Sequence, residues 1–231
     1  MSKPCPGAEE EHSWQKVAPC PDRLRRLGIS RPPRNCCRWP RTGSSTRCQT
    51  NPRIWAAGDL TGHPQFTHTA GVHGTLAASN AVLGLRRRVD VASIPRVTFT
   101  QPEVAAVGVN VEKARALGLT VRTVEHVEVD RAIAEQQTAG FSRLVLDGKG
   151  RIVGATIVGP RAGESLAEAV LAARHGLRAR DLTAATHAYP TYSDGLWKAA
   201  IAQVQVQLAS GITRCATRAM AAVRRSTLRA R

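Results

Sequence analysis

The chain has 231 residues, 42% of them hydrophobic, and its 33 Lys and Arg against 17 Asp and Glu give a formal charge of +16. That length and apolar share are enough to bury the core of one or two domains. No run approaches the ~18 consecutive apolar residues of a membrane span, and residues 1–15 lack the apolar stretch of a secretory signal. The expected location is therefore cytoplasmic, with no membrane partner. The charge excess is uneven: residues 1–50 hold 10 basic and 4 acidic side chains, 214–231 hold six Arg and no acid, and 51–213 hold 17 and 13. A body so close to neutral argues against a uniform nucleic-acid-binding face, and no specific nucleic acid is expected as a partner.

Residues 1–50 contain seven of the 13 prolines and five of the six cysteines, with no sustained apolar period. They read as a disordered basic arm or as an out-of-frame leader. Cys5, Cys20, Cys36, Cys37, Cys48 and Cys215 form no C-x-x-C pair, so neither a zinc site nor a dithiol motif is expected. The adjacent Cys36 and Cys37 would suit a soft metal ion, but two unrelated thiols is the preferred reading.

From Asn51 the pattern becomes regular. Ile54 to Asp59 is a short apolar run ending in a turn, read as a buried strand. Leu60 to Phe66 is a loop. Thr67 to Leu83 is predicted helical, with Thr67 as N-cap and Gly84 just past the end. Gly71, Gly74, Ala78 and Ala81 form a stripe that would let this helix approach backbone or a flat ligand closely; a plain core helix is the alternative. Arg86-Arg87-Arg88 reads as a solvated linker. Strands are expected at Arg96–Thr100, Val104–Gly108 and Val121–Val129, with a short helix, Val111–Leu117, closed by Gly118. Leu144–Leu146 and Ile152–Val158 form a hairpin through Asp147-Gly148-Lys149-Gly150. Two helices follow. Glu164–His175 places Leu166, Val170 and Ala173 on one side. Asp194–Leu208 does the same with Trp197, Ala200 or Ile201, Val204 and Leu208. Residues 95–210 are thus an α+β unit, an antiparallel sheet with helices on one face. The tail, 211–231, reads as a solvated extension of the last helix or as an amphipathic helix for an anionic surface.

Two segments resemble a known family. Ile54-Trp55-Ala56-Ala57-Gly58-Asp59, running on to His68, resembles the second flavin motif of the class I pyridine nucleotide–disulfide oxidoreductases, which include dihydrolipoamide dehydrogenase and mercuric reductase. His187-Ala188-Tyr189-Pro190-Thr191-Tyr192-Ser193-Asp194 is similar to that family's His-Pro-Thr loop. The resemblance covers about Asn51 to Leu208. It implies four parts: a leader (1–50), a C-terminal remnant of an FAD-binding domain (51–90), a dimerisation domain (95–210) and a basic tail (211–231). It also implies a homodimeric oxidoreductase, a flavoprotein using FAD and NAD(P)H, with a part in cell redox homeostasis.

By the same resemblance, Asp59 bonds the ribityl chain of FAD, Gly58 permits close approach, and the helix start at Phe66, Thr67 and His68 aims N–H groups at the flavin pyrimidine. A simple strand-end turn at Gly58-Asp59 is the alternative. Tyr189 stands where most members place an acid–base His, and Asp194 where they place its Glu. A phenol with a reference pKa of ~10 is a poor base near neutrality. It would instead donate to a thiolate or ligate a metal ion as a phenolate, which is similar to mercuric reductases. His187 is the candidate replacement base or a surface or interface His. An aromatic residue before Pro190 favours a cis bond. Leu166, Val170, Tyr189 and Trp197 are the expected interface residues. The chain has no G-x-G-x-x-G and no C-x-x-x-x-C, so it reads as a truncated C-terminal part, inactive alone. A non-catalytic homodimerisation module and, lower, a basic nucleic-acid-binding protein using Arg23–Arg26 and the tail are the alternatives.

Overall fold

The computed structural model describes residues 46–48, 51 and 53–229. It divides into two compact units, one ending at Val91 and one beginning at Ala92. The expected leader lies outside the described residues except for 46–48. Those three are ordered against 54–56: Cys48 N–H donates to Ile54 O at 2.9 Å and Ala56 N–H to Thr46 O at 2.8 Å. Thr46 and Cys48 are buried.

In the first unit the strand expected at Ile54–Asp59 is only a single antiparallel bridge, Arg47 to Trp55. It ends because Gly58, at φ +69, turns the chain into a 3-10 turn, Gly58–Thr61, a backbone region open to glycine at little cost. Helix α1 spans Thr67–Leu83 and closes on Gly84 in the left-handed region. Its N-cap is Phe66, in extended conformation, not Thr67, which is already helical. The buried side is Thr69, His73, Ala77 and Asn80, at helical spacing. The stripe Gly71, Gly74, Ala78 and Ala81 is therefore not the packed face; three of the four are exposed. Beyond Gly84, Asn80 secures the chain with a paired bond, Nδ2–H to Arg87 O at 2.9 Å and Oδ1 from Arg87 N–H at 3.0 Å.

The second unit is an α+β fold around a five-stranded antiparallel sheet of order β1-β2-β5-β4-β3. The strands are β1 (Arg96–Thr98), β2 (Glu103–Gly108), β3 (Thr120–Glu125), β4 (Phe141–Leu146) and β5 (Ile152–Gly159). The helices are α2 (Val111–Ala116), α3 (Asp130–Ala134), α4 (Ala162–Ser165), α5 (Ala167–His175), α6 (Ala179–Ala184), α7 (Asp194–Ala209) and α8 (Gly211–Arg229). Register places Ala105 opposite Ile157, Val107 opposite Ala155, and Leu144 opposite Ala155. Period-2 alternation puts these on one face, where they are fully buried with Leu166, Ala169, Leu196 and Ala199 from the helices. The hairpin between β4 and β5 is fixed by its own sequence: Asp147 Oδ1 accepts from Lys149 N–H and Arg151 N–H, both at 2.8 Å, an Asx-type turn.

Several expectations are corrected here. The strand at Val121–Val129 stops at Glu125, because His126 turns its ring into the core; a 3-10 turn, His126–Glu128, follows. The helix at Glu164–His175 is two, α4 and α5, and begins at Ala162. Helices α3 and α6 have no counterpart among the predicted elements. The packed stripe of α7 is Leu196, Ala199, Ala200 and Gln203; it shares only Ala200 with the expected stripe, whose Trp197, Ile201 and Val204 are half-buried and Leu208 exposed. Leu166 is 1% exposed, so it belongs to the core of one copy and offers nothing to an interface.

Candidate functional site

The first unit brings together the residues read as flavin contacts. A Cβ built on Gly58 would lie 3.0 Å from Ala70 Cβ, so the 3-10 turn sits directly against the first turn of α1. Thr61 closes the turn, its hydroxyl donating to Gly58 O at 2.7 Å. The same hydroxyl lies 3.5 Å from Nδ1 of His73, and the His63 and His73 rings meet edge-on at 4.9 Å. His73 is wholly buried. Burial, then the neighbouring His63, holds its pKa below 6.5, so it anchors the helix as a neutral ring.

Above this anchor Asp59, Thr67 and His68 are exposed and Phe66 is half-buried. The N-cap residue of α1, Phe66, gives no side-chain bond to the helix start. Thr69 Oγ1, on the packed side of the helix, is buried without a hydrogen-bond partner among the described residues. An exposed carboxylate beside an exposed helix start is compatible with a ligand rich in hydroxyls and ring carbonyls, such as the flavin end of FAD.

The second unit carries the loop between α6 and α7. The Tyr189–Pro190 bond is cis. Tyr189 is 70% exposed, and its hydroxyl donates to Asp130 Oδ2 at 2.8 Å. That bond, reinforced by the Asp130 charge, pushes the phenol above its usual 10.0. Tyr189 is thus a neutral phenol near neutrality whose proton is already committed. What it presents outward is oxygen lone pairs. Asp130 also faces Lys198 Nζ at 4.0 Å.

His187 lies in the same loop but is held apart from Tyr189. Its Nε2 is 2.8 Å from Glu168 Oε1 and its Nδ1 3.0 Å from Ala185 O, and its ring lies 5.8 Å from that of Trp197. Each nitrogen faces an oxygen acceptor, and the side chain is 11% exposed. Asp194 is buried at the head of α7 and accepts from Thr191 N–H at 3.5 Å; it bonds neither His187 nor Tyr189. The structure therefore gathers all three residues in one loop but gives each its own partner. Sequence reasoning misses Asp130 and Glu168, whose only signal is a carboxylate in the first turn of a helix.

The loop is braced from below by Tyr192. Its hydroxyl donates to Glu135 Oε2 at 2.8 Å. Burial, then this bond, pushes its pKa up to about 12. Glu135 also pairs with Arg131 and, at 3.9 Å, with Arg161. Among the described residues no group of three or more His, Cys, Asp or Glu is arranged to hold a metal ion. Cys48 is buried and Cys215 exposed, and neither forms a disulfide; the other four cysteines lie outside the described residues.

Residues 94–200 match the family model described as the pyridine nucleotide-disulphide oxidoreductase dimerisation domain. This part of the chain matches the dimerisation domain of the FAD-dependent disulfide and mercuric reductases. Among curated relatives, the mercuric reductase of Streptomyces lividans is 38% identical over 153 residues, 65% of this chain and 32% of that protein. The mercuric reductase of Bacillus cereus is 39% identical over 150 residues, 64% of this chain and 24% of that protein. The dihydrolipoyl dehydrogenase of Geobacillus stearothermophilus is 37% identical over 158 residues, 67% and 33%. The chain thus spans about a third or less of these relatives' length. Among solved structures, LpdA from Mycobacterium tuberculosis superposes with a TM-score of 0.63 at 25% identity, over 68% of this chain and 35% of that one. The Cu(II) complex of the HOCl-induced flavoprotein disulfide reductase RclA from Escherichia coli gives 0.61 at 23%, over 68% and 36%, a likeness of fold. No described helix is long and apolar enough to cross a membrane.

Proposed function

We propose that the chain supplies FAD contacts and the dimer interface of a cytoplasmic, homodimeric, FAD-dependent oxidoreductase that passes electrons from NAD(P)H to a disulfide or to mercuric ion. The observation that carries this reading is the Tyr189 loop. Within the family-matched region, an exposed phenol with a committed proton occupies the position where most members place an acid–base His. That favours a site handling an electron-poor soft ion over one handing a proton to a thiolate, in keeping with the mercuric reductases among its relatives. Tyr189 would face the substrate, His187 and Asp194 would hold the loop, and Asp59, Gly58 and the start of α1 at Phe66, Thr67 and His68 would hold the flavin. Bound FAD would supply two-electron transfer between the nicotinamide and the acceptor.

The 231 residues contain neither G-x-G-x-x-G nor C-x-x-x-x-C, so on their own they are expected to hold FAD weakly and not to turn over. The test is sedimentation equilibrium with a visible absorbance spectrum after incubation with FAD. A dimer is expected, with weak flavin retention that falls further in Asp59→Ala and no NAD(P)H oxidation. A chain that stays monomeric at tens of micromolar would refute the interface role. A dimer showing no flavin retention would instead favour a non-catalytic homodimerisation module.

A further inference from the structure

After Asp194 the sequence contains no Asp or Glu, while Lys198 and six Arg follow. Most of that charge lies on α8, a 19-residue helix and so about 28 Å long. At 3.6 residues per turn, Arg214, Arg218 and Arg225 fall within about 40° of one another around the helix axis. Met220 and Val223, with Ala216 and Ala219, occupy the opposite side. Met220 and Val223 are each 64% exposed, and the flanking alanines and arginines are exposed too. The helix therefore carries a cationic side and an apolar side, with Arg224 at the border about 40° from Met220, and both sides face outward.

We propose that α8 lies flat on an anionic bilayer surface, with Met220 and Val223 entering the headgroup–acyl boundary and the arginines reaching back to lipid phosphates. The chemistry selects this occupant. A polynucleotide would engage the arginines alone and leave Met220 and Val223 in water. An acidic protein groove recognises large anchors at i, i+3 or i+4 and i+7, and among the described side chains the side opposite the arginines offers only two, Met220 and Val223, beside alanines. A bilayer takes both halves at once: long basic side chains extend along the surface to the phosphates, and a shallow apolar strip needs no pocket. Attraction to anionic lipid adds with each Arg and fades with salt. The contact is peripheral and requires no spanning segment.

The test is flotation of the full chain with vesicles of phosphatidylcholine containing phosphatidylglycerol, against phosphatidylcholine alone. Binding is expected only to the anionic vesicles, and it should fall as salt is raised. Met220→Ser with Val223→Ser should weaken vesicle binding about tenfold through lost apolar burial while leaving retention on duplex DNA unchanged. Met220→Leu with Val223→Leu should tighten vesicle binding, which keeps the test open if the serine variant loses helix by circular dichroism. Arg214→Gln, Arg218→Gln and Arg225→Gln together should abolish it. The proposal fails if the serine and leucine variants both bind vesicles as tightly as the parent, since charge alone would then account for retention. It fails equally if the parent does not float, or floats with both vesicle types alike.

Discussion

Gly159, at the end of β5, has φ +153, and a Cβ built there would lie 2.5 Å from Cε1 and 2.6 Å from Nδ1 of His126. Neither partner can give way. The His126 ring is fully buried, and its Nε2 lies 3.0 Å from Ser142 Oγ. Ser142 is itself confined, since a Cβ on Gly195 would meet its Oγ at 2.3 Å. Gly159→Ala therefore combines overpacking, at about 1–3 kcal/mol, with a backbone conformation that L residues avoid, at about 1 kcal/mol. The expected loss is about 2–4 kcal/mol, a fall in Tm of about 6–16 °C for a unit of this size. Thermal unfolding by circular dichroism reads it. A double-mutant cycle with His126→Ala isolates the contact: with the ring removed, the methyl group introduced at position 159 should cost at least about 1 kcal/mol less. A Tm drop under about 2 °C for Gly159→Ala, or an equal drop in the His126→Ala background, would refute the account of a ring wedged against bare backbone.

Other consequences follow from the same packing. Leu196→Ala, at a fully buried position, should cost about 2–5 kcal/mol, whereas Leu208→Ala, at a site 49% exposed, should shift stability by no more than about 0.5 kcal/mol; urea unfolding distinguishes them. Burial depresses His126 below 6.5, the opposing influence of Glu125 being smaller. The unfolded chain therefore binds a proton that the folded chain refuses. Stability is full above the unfolded value and declines as pH falls from about 6.5 toward the depressed one. Urea midpoints measured across that range should fall, and less steeply in His126→Gln. With Tyr192→Phe removing the other tyrosine, Asp130→Asn should lower the pH at which Tyr189 ionises, read by near-ultraviolet phenolate absorbance. An unchanged midpoint would mean that the Asp130 bond does not control that phenol.

The elements legible in the sequence are those whose signal is local. The β4–β5 hairpin is written in Asp147-Gly148-Lys149-Gly150, because an Asx turn and a left-handed glycine need nothing from the rest of the chain. The span of helix α1, Thr67–Leu83, is legible, though its N-cap is Phe66 and not the Thr67 expected. What the sequence hides is decided by tertiary fit. In α7 the stripe with larger apolar side chains, Trp197, Ile201, Val204 and Leu208, looks like the core, while the other carries Gln203. The packed stripe is the smaller one, since Gly195, Ala199 and Ala200 let the helix approach β3 and β4 closely enough to meet Ser142. Likewise Asp130 and Glu168 lie 59 and 19 residues from the groups they hold, distances no local pattern reports.

That separation explains the division of labour in the Tyr189 loop. His187, Thr191, Tyr192 and Asp194 each spend their polar atoms inward, on Glu168, Ala188 O, Glu135 and Thr191 N–H. These bonds, three part-buried and one exposed, tie the loop to its neighbours, each at about 0.5–1.5 kcal/mol. Tyr189 alone among them is largely exposed, and its single bond, to Asp130, fixes where its oxygen sits without covering it. The surrounding residues determine position, and Tyr189 is the member of this group left exposed. Substitutions at His187 or Asp194 should therefore be read first as changes in stability. Tyr189→Phe should leave the Tm within about 1 °C, consistent with the loss of an exposed contact. If Tyr189→Phe destabilised the fold as much as Asp194→Ala, the phenol would have to be counted among the struts, and its assignment as the outward-facing group would be lost.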